Sequence, residues 1–196
     1  AEYIADKLNK NKRPMTKISS IACGPAREIE ILMSKLDDHS ETTFIMIDQE
    51  PKALEYAQMK LKASSRKKNF KTVFLQEEAV LGLIKGKHFV EYIKNSDVII
   101  SAGLFDYLSD KVAKKLIHVL YGLLKPDGLL IIGNVSKDNP DRFSMDYFAD
   151  WNLILRNSDD LRNLVPEEIL KDANAKVEVT SELLGLNLFL NIKKLK

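Results

Sequence analysis

The chain has 196 residues, 45% of them hydrophobic and 30% charged, and its 30 basic against 28 acidic side chains leave a formal charge of +2. That length fits one domain with a core large enough to need no staples, and that balance excludes a strong field for recruiting nucleic acid or an acidic membrane. The single cysteine cannot form an internal disulfide and fits a reducing compartment, so a cytoplasmic location is expected.

No apolar run approaches the ~20 residues of a membrane-spanning helix, and the amphipathic start AEYIADKLNKNKRP does not read as a signal peptide. The sequence begins with Ala rather than Met; a trimmed chain, with a further domain in the full-length protein, is one expectation. Residues 1–13 form a short helical appendage closed by Pro14. A strand follows at 17–22. Ile29, Leu32, Met33 and Leu36 recur at helical spacing and predict a helix over 27–35. The β-branched and aromatic run 42–47 is a strand, and Pro51 opens a helix that reaches about residue 63. The polar cluster 64–69 is a turn before a third strand at 70–75.

A short helix is expected at 79–84. The continuous apolar run within 97–102 has the character of a parallel strand buried on both faces. A strong helix over 110–124 ends at Pro126 and Gly128. A fifth strand covers 129–135. Helices are expected at 143–155 and 158–164, with another opened by Pro166. Two strands, 176–180 and 186–192, flank a turn at Gly185. Strands alternating with helices imply parallel pairing through right-handed crossovers, and the last two strands are close enough to pair antiparallel. The chain is therefore read as one α/β domain over 1–196, with 136–165 inserted as a helical lid.

Chemistry concentrates at the first strand-turn-helix. Ala22, Cys23, Gly24 and Pro25 form a tight turn at the carboxyl edge of a doubly wound sheet, where ligands bind. Gly24 lets a ligand approach the backbone, Pro25 fixes the turn, and Ala22 and Ala26 are small. A full G-x-G-x-x-G is absent, so a pyrophosphate cradle is poorly supported; an ordinary turn with one glycine is the plain alternative. Asp48, 24 residues after Gly24, ends the second strand and is placed to accept hydrogen bonds from ribose hydroxyls. Its plain alternative is a cap for the helix opening at Pro51, for which Glu50 stands nearer. No metal site is expected: His39, His88 and His118 lack ligand spacing. The basic run at 66–68 reads as a solvated turn, and a nucleic-acid partner is not expected.

Ile21-Ala22-Cys23-Gly24-Pro25, Ile47-Asp48 and Leu123-Leu124-Lys125-Pro126-Asp127-Gly128 together resemble the signature of class I S-adenosylmethionine-dependent methyltransferases. The resemblance covers about residues 14–196 and points to a less characterised branch. It implies a three-layer Rossmann-like sandwich with a mostly parallel seven-stranded sheet and an antiparallel C-terminal pair. It implies S-adenosyl-L-methionine as cofactor and methyl transfer by in-line displacement to an unidentified acceptor, a small molecule in this reading. A non-catalytic S-adenosylmethionine-binding module, or a nicotinamide-dependent oxidoreductase on a related sheet, are the alternatives.

By the same resemblance, Ala22, Cys23 and Gly24 pass under the methionine part of the cofactor. Asp48 holds the ribose, and Gln49 flanks the adenine. Glu77, Glu78 and Ala79 reach the adenine edge, and Ser101, Ala102 and Gly103 sit by the sulfonium. The family's first motif usually carries an acidic residue where Ala22 stands and a glycine where Ala26 stands; Glu28 or Arg27 is then left to compensate. Asp106, Tyr107, Arg142 and Tyr147 are the candidate catalytic residues, with Asp106 read either as a base or as a cap for the following helix. Phe105 joins Tyr107 in facing an apolar acceptor, Asn134 contacts either ligand, and Trp151 and Arg156 join the lid contacts. The plain alternative makes Tyr147, Trp151 and Leu155 the packed face of a helix.

Overall fold

The computed structural model describes residues 2–11, 15–37, 41–67, 70–140 and 152–195. The chain divides into two compact units, Ala1–Ile99 and Ile100–Lys196.

In the first unit, α1 (Glu2–Asn11) precedes β1 (Met15–Ile21), α2 (Arg27–Lys35), β2 (Glu41–Asp48), α3 (Pro51–Lys67), β3 (Phe70–Gln76), α4 (Ala79–Ile84) and α5 (Val90–Ile93). β4 (Ser96–Ser101) begins here and ends in the second unit. β1 pairs with β2, and β2 with β3, all in parallel. Phe44 to Ile47 are all buried, as a strand covered on both faces requires. Ile29, Leu32 and Met33 give α2 its buried stripe, while Glu28 and Glu30 in the first turn and Lys35 in the last complement its dipole. Asn9 ties α1 to the end of α2, donating to the Lys35 carbonyl at 3.0 Å and accepting from the Asp37 N–H at 3.0 Å. Buried polar atoms are matched in pairs: the Ser19 and Ser96 hydroxyls meet at 2.8 Å, and the Lys17 N–H donates to the Asp97 carboxylate at 2.8 Å.

In the second unit a 3₁₀ turn (Phe105–Tyr107) leads into α6 (Asp110–Gly122) and β5 (Leu124–Val135). Then come α7 (Ser158–Arg162), α8 (Glu167–Leu170), β6 (Ala175–Ser181) and β7 (Asn187–Lys194). β7 pairs antiparallel with both β5 and β6. The edge strand β6 places Lys176 and Glu178 in exposed alternate positions, charges that discourage pairing with another chain. The strand order is β3-β2-β1-β4-β5-β7-β6. The expected seven-stranded, mostly parallel sheet with an antiparallel C-terminal pair is what the structure contains.

Three details differ from expectation. β5 begins at Leu124, five residues early, because a tight turn at 125–128 is built into the strand rather than preceding it. Asp127 takes the left-handed conformation there (φ 63°), and a Cβ on Gly128 would lie 2.7 Å from the Lys125 carbonyl. The helix expected at 143–155 falls partly on residues 141–151, which lie outside those described. Its remainder, 152–155, is not helical: the Ile154 N–H donates to the Asp106 carbonyl at 2.7 Å, the Arg156 N–H to the Val135 carbonyl at 3.3 Å, and Arg156 bridges Ser136 in parallel. These partners replace the carbonyls four residues back that a helix would use. The short α5 was not expected at all. Among the described residues no helix is long and apolar enough to cross a membrane.

Candidate functional site

At the carboxyl ends of β1, β2 and β3 the backbone is knotted by hydrogen bonds. The Cys23 N–H donates to the Ile47 carbonyl at 3.0 Å, the Ala26 N–H to the Cys23 carbonyl at 2.8 Å, and the Glu77 N–H to the Asp48 carbonyl at 2.9 Å. Ala22 to Pro25, Asp48 and Gln49, and Glu77 to Ala79 therefore meet at one edge, as their sequence positions anticipated. In the turn, Ala22 (φ 50°), Gly24 (φ 51°) and Ala26 (φ 52°) are all left-handed. Only glycine adopts that conformation without cost, and each alanine there stores about 1–2 kcal/mol. A Cβ on Gly24 would meet nothing within 4 Å: the space over this backbone is open.

Asp48 fastens the turn. Its Oδ2 accepts the Gly24 N–H at 2.7 Å, and its Oδ1 accepts the Glu50 N–H at 2.9 Å. Each oxygen has a further lone pair, so a carboxylate already oriented by two backbone donors retains acceptors for two hydroxyls. The capping alternative belongs to Glu50, whose side chain accepts from the Lys52 N–H at 3.3 Å.

Glu28, in the first turn of α2, accepts the Ser20 hydroxyl at 2.7 Å. Burial raises its carboxyl above the usual range, against the lowering effect of that hydroxyl. Cys23 lies within electrostatic reach of both acids: burial first, then the Asp48 and Glu28 charges, push its thiol up to about 12. It is a small buried side chain, not a nucleophile. Arg27 is turned away, exposed and 3.9 Å from Glu30.

Glu78 requires a correction. Its carboxylate caps α4, accepting the Val80 N–H at 3.0 Å and the Leu81 N–H at 3.0 and 3.2 Å, so it is committed to the helix rather than to a ligand's edge. Glu77 keeps a looser partner, Lys87 at 4.0 Å.

In the second unit, Ser101 is fully buried, while Ala102 and Gly103 are exposed. A Cβ on Gly133 would stand 2.4 Å from the Ala102 carbonyl, so glycine at 133 is what lets these backbones touch. Several acceptor-side expectations fail here for one reason: their side chains hold one another. Arg156 is 2% exposed. Its Nη1 donates to the Phe105 carbonyl (2.8 Å) and Asn134 Oδ1 (2.7 Å), Nη2 to the Leu108 carbonyl (2.7 Å) and Asp110 Oδ1 (2.8 Å), and Nε to the same Asp110 oxygen (3.3 Å). All five guanidinium N–H groups are engaged, which leaves none for a substrate. Asn134 completes the node by donating to the Val135 and Ile154 carbonyls at 3.1 and 3.0 Å.

Asp106 accepts the Val135 N–H at 2.7 Å, and burial raises its carboxyl, opposed by that bond and by the Arg156 charge. It does not cap α6, whose N-cap is Ser109, and at 4% exposure it faces no entering ligand. Phe105 is fully buried and belongs to the core, whereas Tyr107 is 54% exposed. Arg142, Tyr147 and Trp151 lie outside the described residues. Among the described residues no group of three or more His, Cys, Asp or Glu is arranged to hold a metal ion.

Sequence reasoning saw the Gly24 and Asp48 pair through its spacing. It missed the Arg156 node because its members are 22 to 51 positions apart and carry no local signature.

A family model described as a methyltransferase domain matches residues 20–130. The chain is also similar in fold to several solved structures. A possible exported protein from Bordetella parapertussis is 17% identical, with a TM-score of 0.69 over 100% of this chain and 67% of that one. Magnesium protoporphyrin IX methyltransferase from Synechocystis PCC 6803, with bound SAH, is 14% identical, with a TM-score of 0.67 over 98% of this chain and 80% of that one. An O-methyltransferase family protein from Burkholderia thailandensis is 17% identical, with a TM-score of 0.65 over 100% of this chain and 56% of that one. No curated protein matches the sequence.

Proposed function

The chain belongs to the methyltransferase-domain family, and from that premise we propose that it transfers a methyl group from S-adenosylmethionine to a small-molecule acceptor, with the adenosine of the cofactor seated at the β1–β2–β3 edge. The family's methyl donor is S-adenosylmethionine, whose sulfonium supplies an already activated methyl group. The protein then needs no covalent nucleophile and no metal, and its task is positioning, which is worth ~7–11 kcal/mol when reacting atoms are held at ~3–3.5 Å.

The residues present fit this group. The space over the Gly24 backbone is open, with nothing within 4 Å of where a Cβ would stand, as a cofactor lying on this turn requires. Asp48, oriented by the Gly24 and Glu50 N–H groups, is the acceptor for the ribose hydroxyls. Gln49 is exposed beside it to flank the adenine. Glu77 is the carboxylate left to receive the exocyclic amine, since Glu78 is engaged by α4. The single cysteine, buried and unpaired, fits a reducing compartment, and we assign the protein to the cytoplasm.

The Gly24–Asp48 hydrogen bond carries this reading, because it couples the turn that admits the cofactor to the acid that grips it. Titration calorimetry with S-adenosylmethionine and S-adenosylhomocysteine tests it. Wild type is expected to bind both, and Asp48→Ala to weaken each by about 100-fold, as loss of two hydrogen bonds to a charged acceptor implies. Unchanged affinity in Asp48→Ala would overturn the ribose assignment. Binding without methyl transfer to any of a broad acceptor panel would favour a binding module over an enzyme of small molecules.

A further inference from the structure

Glu28 stands in the first turn of α2, where burial outweighs the groups that stabilise its charge. Its carboxyl group is largely buried, and among the described residues its one side-chain partner is the neutral Ser20 hydroxyl, at 2.7 Å. Among the described residues no Lys, Arg or His side chain pairs with it, and the adjacent Arg27 is directed to Glu30. A largely buried carboxylate with no basic side chain beside it is costly, and its own backbone N–H offsets that only in part. Yet the pair is built rather than incidental: Ser20 is 1% exposed on β1, and its hydroxyl orients Oε1 of the carboxylate. Glu28 opens α2 two residues after Ala26, so it stands beside the turn assigned above to pass under the cofactor's amino-acid part.

Resting on the assignment of S-adenosylmethionine to this edge, we propose that Glu28 is the residue that binds the cofactor's α-ammonium group, with Ser20 as its positioning residue. An ammonium brings a positive charge and up to three N–H donors to the carboxylate. The acid is thus delivered from the first turn of α2 rather than from the strand that precedes the turn, where Ala22 has no side chain to offer. Burial holds the carboxyl above its ordinary range in the free protein, which is the state a cationic ligand relieves.

The experiment compares two ligands on Glu28→Gln. S-adenosylhomocysteine carries the ammonium but no sulfonium; 5′-methylthioadenosine carries neither. Gln keeps an oxygen for the Ser20 hydroxyl, so the turn is preserved. Glu28→Gln is expected to weaken S-adenosylhomocysteine about tenfold or more, the range of a hydrogen bond to a charged group, and to leave 5′-methylthioadenosine unchanged. Ser20→Ala should show a smaller loss with the same selectivity. Equal losses for both ligands, or none for either, would overturn the proposal. So would a loss confined to S-adenosylmethionine, which would place Glu28 against the sulfonium. A wild type that binds neither ligand overturns the cofactor assignment itself, and Asp48→Ala, which should weaken both ligands, separates that failure from this one.

Discussion

Two carboxyl groups, one in each unit, meet burial in opposite ways. Asp106 accepts a backbone N–H at 2.7 Å and feels the charge of Arg156, itself a guanidinium with every donor engaged. Glu28 has a serine hydroxyl and its own backbone N–H, and no basic side chain pairs with it among the described residues. Burial raises both carboxyls, so the shift alone separates nothing. What separates them is whether the surrounding polar groups are closed on one another or left with capacity. The closed set is scaffold, holding the 3₁₀ turn, the end of β5 and residues 152–156 as one piece. The open set, over a turn whose alanines are held in a glycine-like conformation, is where a ligand has something to complete.

The largest effect that bears on this contrast is expected at Arg156. Arg156→Ala strands the Phe105 and Leu108 carbonyls and Asn134 Oδ1, and should cost about 3–5 kcal/mol, read by urea unfolding at pH 7. Arg156→Lys should recover only a minor part, since an ammonium does not reproduce the planar fork. A cost below about 1 kcal/mol for Arg156→Ala would dissolve the distinction between the two regions.

At Glu28 the sign reverses. A carboxyl raised by burial contributes stability below its unfolded value, near 4.5, and loses it as pH rises through the higher folded value. The ligand-free Glu28→Gln variant lacks this loss. Its melting temperature, relative to wild type, should therefore climb as pH rises from 4.5 through that window and stay above wild type at neutral pH. A site that gains stability while losing affinity is the signature of a functional group; a variant that melts lower at neutral pH would return Glu28 to the scaffold.

The smallest effect lies in the turn. Ala22→Gly relieves a left-handed alanine but adds freedom to the unfolded chain. The net gain should be within about 1 kcal/mol, measured by the same unfolding assay, and a loss would show that φ 50° is not strained here.

What could be read from the sequence followed from how local its cause is. The 27–35 helix was visible in the spacing of Ile29, Leu32 and Met33, and so was the placing of Gly24 and Asp48 at the ends of two successive strands, though not the hydrogen bond that joins them. The Ser20–Glu28 pair was half visible: its residues sit in the right motif, but only the turn's geometry brings a strand hydroxyl onto a helix carboxylate. Glu78 was read as ligand-facing because a glutamate in a loop looks free until its helix is known to begin two residues before Leu81. Arg156 misled most. Apolar residues at 147, 151 and 155 suggest a helix, whereas the hydrogen-bond partners of 154 and 156 lie at 106 and 135, beyond the reach of any local pattern.

The buried Cys23 thiol has a practical consequence. With its ionisation pushed up to about 12, it offers almost no thiolate at neutral pH, and thiolate is the form that maleimides attack. It is the chain's single cysteine. A cysteine introduced at Leu183, which is 100% exposed, is then the thiol that reacts. A fluorophore or spin label can be set on the β6–β7 hairpin while the wild-type cradle is left untouched.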